Sequence, residues 1–152
     1  MRAEPIAATC YTAIYPGRAD QLHHIRRAVA RHLTDCPAAH DATLILSELA
    51  ANAIVHSASR GQFFTVRAEV FPGYVWVEAE DLGGPWHRRH ADNRPHGLDV
   101  VEALTGPGGW GVETTTGGGR VVWARLDLPP GGVNQQVTPG AQPRQGRTVR
   151  SR

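Results

Sequence analysis

Between residues 19 and 36, Leu22, Ile25, Val29 and Leu33 recur at helical spacing while Arg26, Arg27 and Arg31 fall off that stripe. The spacing predicts an amphipathic helix. A second helix is predicted over residues 39–57, where nearly every position is apolar. Asp41 in its first turn suits the helix dipole, and Gly61 follows near its end. The periodicity then changes to two. "FFTVRAEV" (63–70) and "YVWVEAED" (74–81) alternate and are joined by Phe71-Pro72-Gly73, which predicts a hairpin. "ATCYTAIY" (8–15) reads as a first strand closed by Pro16-Gly17, "GLDVVEAL" (97–104) as a short helix, and "WGVETTT" and "RVVWARLDL" as the last strands. No internal repeat is present. Helices flanking hairpin-connected strands predict an α+β fold, a two-layer sandwich with helices packed on one face of a mixed, mostly antiparallel sheet.

The second helix carries one anomaly. In "SELAANAIVH" (47–56), Glu48, Asn52 and His56 follow at intervals of four and fall within a sector of about 80°. Leu44, Ile45, Leu49 and Val55 lie inside or beside that sector, and Leu46, Ala50, Ala53 and Ile54 lie on the other sides. The helix therefore has no proper solvated face. An ionised carboxylate buried without partners costs several kcal/mol, so something polar is expected against this trio. The same spacing also fits the exposed strip of a surface helix.

A second inward carboxylate follows. Val75, Val77 and Ala79 alternate with Tyr74, Trp76, Glu78 and Glu80, and period two puts Asp81 on the apolar side. Leu82-Gly83-Gly84-Pro85 follows, where glycines let backbone approach a ligand closely; an Asp before Gly-Gly-Pro also starts many ordinary turns. Gly97 opens the next helix, whose free N–H groups suit phosphate oxygens. Gly117-Gly118-Gly119 precedes the last strand and fits a hairpin loop equally well.

Length and charge refine this picture. The chain has 152 residues, enough for one domain with a core, assigned to residues 1–128. Residues 129–152 are rich in Pro, Gly and Gln and are expected to be a disordered basic tail. All sixteen basic residues are arginine, and four lie in that tail, where no acid occurs; the domain holds twelve arginines against fourteen acids. A mildly acidic body lacks the basic face of a nucleic-acid binder. Cys10 and Cys36 form neither a metal-ligand cluster nor a disulfide framework and are expected as buried thiols. No leader-like apolar run and no apolar stretch of about 20 residues occurs, so a soluble cytoplasmic protein without membrane contact is expected.

Taken in order, the E-x-x-x-N-x-x-x-H helix, the strand ending in D-x-G, the variable loop, the G-L-x-x-V helix start and G-x-V-V-W in the final strand resemble the GHKL ATP-binding superfamily of gyrase-type ATPases and histidine kinases. The small size, the strand-helix start and "LSELAANAIVHS" (46–57) look most like bacterial anti-sigma factor serine/threonine kinases, especially the single-domain ATP-binding proteins of actinomycetes. The resemblance spans roughly residues 8–128. It implies the GHKL, histidine-kinase-like ATPase fold, with ATP and Mg²⁺ as cofactors. By resemblance, Asn52 would be the metal ligand and Glu48 the catalytic base for an attacking hydroxyl. Asp81 would accept a hydrogen bond from the adenine amino group and Gly83 would make room for the base. Gly97 and Leu98 would supply backbone near the phosphates, with His56 and Gly119 also on the nucleotide. Residues 84–96 would form a lid carrying Arg88, Arg89 and Arg94.

The implied activity is phosphorylation of a small antagonist protein of the anti-anti-sigma type. The alternative is a non-catalytic, ATP-dependent binding module that sequesters a sigma factor or another regulator. A third reading drops ATP and satisfies the trio internally, as an interaction domain. The resemblance also implies a capacity to homodimerise, while the charge balance leads to no expected direct contact with nucleic acid. Histidine-kinase and gyrase-like readings are disfavoured, because the sequence offers no room for a phosphoacceptor domain or a transducer. Two departures from the family pattern stand out. Pro95 replaces the first glycine of a G-x-G-L motif and has no N–H to offer a phosphate. Val121 stands where a hydroxyl residue is common near the adenine carboxylate.

Overall fold

The computed structural model describes residues 5–84 and 97–130. Strands β1 (Thr9–Pro16), β2 (Phe63–Phe71), β3 (Tyr74–Asp81), β4 (Trp110–Thr114) and β5 (Arg120–Asp127) form one sheet in the order β1-β2-β3-β5-β4. Helices α1 (Leu22–His32), α2 (Ala39–His56) and α3 (Gly97–Thr105) pack against it as the second layer of an α+β sandwich.

Every strand pairing is antiparallel. A mixed, mostly antiparallel sheet is expected from the sequence, and β3 and β4 do run the same way. The parallel contact never forms, since β5 inserts between them and pairs antiparallel with both. At the other edge, α1 and α2 carry the chain out and back, so β2 begins at Phe63 beside Pro16, where β1 ended.

Period-two alternation supplies the sheet's contribution to the core: Val66, Ala68, Val75, Val77, Val122 and Ala124 are almost inaccessible. Ile45, Leu46 and Leu49 of α2 are fully buried above them. The helix is central because its apolar residues cover most of its circumference and meet the sheet, α1 and α3 at once. Ser47, on the side facing α1, is also buried and accepts a hydrogen bond from Arg26 Nη1 at 3.1 Å.

The first helix is shorter than its periodicity predicts. Residues Ala19–Gln21 form a 3₁₀ turn, and α1 ends at His32. The Thr34 hydroxyl donates to the carbonyls of Ala30 and Arg31, and Pro37 disfavours helical backbone at Cys36, so the chain turns before α2. Cys36 is a buried thiol as expected, whereas Cys10 is exposed. Tyr11, Ala13 and Tyr15 face the core side of β1, so the alternation turns Cys10 outward, within 3.6 Å of Glu69 Oε1.

Among the described residues, no helix packs on the outer face of the sheet. Trp76 and Trp123 stack there with centroids 4.7 Å apart, Phe71 stacks on Tyr74, and the Arg125 guanidinium lies 4.1 Å above the Tyr74 ring. Arg67 and Glu78 form an ion pair at 3.2 Å between β2 and β3. Among the described residues, no helix is long and apolar enough to cross a membrane. Of the expected tail, residues 131–152 lie outside the described residues.

The turn after α2 is tied to the end of β1 through Gly17. Its N–H donates to the Gln62 carbonyl and its own carbonyl accepts from Gly61 N–H. A Cβ on Gly17 would lie 1.9 Å from the Ser59 carbonyl oxygen, a backbone atom that cannot turn aside. Gly17→Ala is therefore expected to destabilise the fold by about 1–3 kcal/mol through overpacking. Chemical denaturation of the two proteins in parallel checks this, and an unchanged midpoint would contradict the packing described.

Candidate functional site

Glu48, Asn52 and His56 occupy successive turns of α2 and are all half-buried rather than exposed. The exposed-strip interpretation of the trio does not apply. Glu48 presses against the first residue of α3: a Cβ on Gly97 would lie 2.5 Å from Glu48 Oε2. Only a glycine lets the carboxylate come this close to the start of a helix, where a negative charge is favoured by the dipole. Asn52, one turn further along α2, has its Nδ2 nitrogen fully buried. Leu98 is 5% exposed, and its side chain belongs to the core.

His56 ends α2, and through its carbonyl oxygen it meets the second half of the site. Arg120 Nη2 donates to that oxygen at 3.1 Å. The same nitrogen donates to Asp81 Oδ2 at 3.1 Å, with Arg120 Nε adding a longer contact at 3.4 Å. Asp81 Oδ1 accepts the Gly83 N–H at 2.7 Å. The Asp81 side chain is 1% exposed and that of Arg120 8%, so this is a buried ion pair at a helix C-terminus, where a cation is also favoured. Burial pushes the Asp81 carboxyl above the ordinary carboxylate range, against the Gly83 amide and the Arg120 guanidinium, which both favour its charged form.

Tight backbone packing holds the pair in place. Gly83 has φ of +77°, and a Cβ there would lie 2.2 Å from the Gly118 carbonyl oxygen. A Cβ on Gly119 would lie 2.8 Å from the Asp81 carbonyl oxygen. The turn after α2 closes the other side: Ala58 N–H donates to the Gly83 carbonyl, and Leu82 N–H donates to the hydroxyl of the wholly buried Ser59.

The structure thus joins the expected site residues in two groups. Glu48 meets Gly97 at the start of α3, where Leu98 follows as a core residue, and His56, Gly83 and Gly119 gather around Asp81. Asn52 lies on α2 between them. Gly119 belongs to the Asp81 end. Val121 does not: it pairs with Glu80 on the opposite face of the sheet, and the residue across from Asp81 is Arg120. Arg120 and Ser59 were not singled out from the sequence. A signal for Arg120 exists, since Val122, Ala124 and Leu126 are inward and period two extends that face to residue 120. It becomes informative only once β5 is known to pair with β3. The expected lid, apart from Gly84, lies outside the described residues, and with it Arg88, Arg89, Arg94 and Pro95.

The two ends fit a nucleotide unequally. A helix start with Asn52 nearby suits phosphate oxygens and a metal held largely by its ligand. No group of three or more His, Cys, Asp or Glu suited to a metal occurs among the described residues. At the other end an adenine amino group does not fit the arrangement as it stands, because Asp81 is enclosed and ion-paired with Arg120. The chain matches no family model and no curated protein.

Because the atom nearest the virtual Cβ of Gly97 is the end of a flexible carboxylate, Gly97→Ala should fold but push Glu48 off the start of α3. Its thermal midpoint is expected to stay close to that of the parent protein. A side-chain carboxyl ¹³C resonance of Glu48 should move, and an unmoved resonance would contradict the contact.

Proposed function

We propose that this protein is an ATP-binding regulatory protein of the anti-sigma-factor type, a serine/threonine kinase acting on a small antagonist of the anti-anti-sigma type in the cytoplasm. The observation that carries this reading is the seating of a half-buried carboxylate, Glu48, on the first residue of a helix, with Asn52 one turn away. In this reading Glu48 takes the proton from the attacking serine hydroxyl of the protein substrate. Asn52 would give one oxygen to Mg²⁺, and the first amides of α3 would face the phosphates. Bound ATP supplies the phosphoryl group; the protein's part is positioning and charge neutralisation.

A second reading is favoured by the Asp81–Arg120 pair. A site whose base-end carboxylate is internally satisfied suits an interaction domain that needs no nucleotide. Calorimetric titration of the folded protein with Mg-ATP and ADP separates the two, since the second predicts no heat of binding. With nucleotide bound, Glu48→Gln is expected to lower phosphate transfer to the antagonist by about 10²–10⁴-fold while leaving nucleotide affinity within a few-fold. Equal transfer by the variant would remove Glu48 from the chemistry.

A further inference from the structure

Arg120 and Asp81 lie directly opposite each other on β5 and β3, at the end of the sheet where α2 stops. Both point inward from strands whose other inward residues are apolar. The surrounding backbone leaves little freedom. Gly83 is packed on Gly118, Gly119 on the Asp81 carbonyl, and the Ala58 and Leu82 amides are bonded across to the β3 end and the α2 turn. The carboxylate cannot reach a new partner by a shift of either strand. Rotation of the Arg120 side chain frees the carboxylate's Oδ2 oxygen without moving that backbone.

We infer that Arg120 is an intramolecular occupant of the base-recognition carboxylate, so that a nucleotide's amino group gains Asp81 only by displacing the guanidinium. This rests on the nucleotide reading given above. A neutral amine replaces a cation on a buried carboxylate, an exchange that lowers affinity because it gives up the charge pairing. Affinity falls by the fraction of molecules in which Asp81 is accessible. The guanidinium also bonds the last carbonyl of α2, so the same displacement uncaps that helix. Arg120 is thus a positioning residue that sets nucleotide affinity without touching the phosphates.

Calorimetric titration of the full chain with Mg-ATP tests the inference in three proteins. Arg120→Thr is expected to bind at least about tenfold more tightly than the parent, since every molecule then offers Asp81. Adding Asp81→Asn to Arg120→Thr should abolish that gain. If the parent and Arg120→Thr bind ATP equally, the occupancy idea is overturned and nucleotide binding stands. If no folded variant binds, the nucleotide reading fails and the inference with it. A readout on the unaltered protein covers a variant that does not fold. The Arg120 Nε–H resonance, identified by its loss in Arg120→Lys, should shift and exchange faster with solvent when ATP is added. An unmoved, protected signal at saturating ATP overturns the inference.

Discussion

A carboxylate removed from water has to be neutralised or bonded, and the end of the sheet is organised around that requirement at Asp81. Its two oxygens are held by the backbone amide two residues further along the chain and by a guanidinium from the neighbouring strand. The guanidinium in turn reaches the last carbonyl of α2. One ion pair therefore links β3, β5 and the central helix. Replacing it by apolar residues of equal volume would cost the sandwich little, whereas removing one partner alone leaves a buried charge, typically a loss of about 3–5 kcal/mol. The arrangement makes those two residues interdependent.

The middle of α2, where Glu48 meets the start of α3, obeys a milder version of the same rule. Glu48 is half-buried rather than enclosed, and its carboxylate leans on a helix start. A carboxylate beside a helix start keeps partial contact with water, whereas one locked to a buried guanidinium does not. The two carboxylates of the site are thus in different states because their surroundings differ, one open and one closed.

The sequence made the elements legible where periodicity and punctuation agreed. The hairpin of β2 and β3, the long central helix and the inward direction of Asp81 follow from alternation and from Pro72-Gly73. What depended on pairing was not legible. The inward position of Arg120 became meaningful only with β5 beside β3, and the outward position of Val121 follows from the same register. The antiparallel character of the sheet turned on β5 entering between two strands that run in one direction. Cys10 was assigned by residue type, which favours burial, but strand alternation on an edge turned it out to solvent. Ser59 stands in a turn, where no period predicts that its hydroxyl will receive the amide of Leu82.

The paired indoles on the outer face of the sheet have a practical consequence. Trp76 and Trp123 belong to the same two strands that bear Asp81 and Arg120, and they face each other almost plane to plane at 4.7 Å. Chromophores this close share their electronic excitation, and the resulting circular dichroism couplet has a sign and size fixed by the angle between them. The β3–β5 ladder therefore contains its own optical gauge: any slip or splaying of the strands changes the spectrum without a label being added.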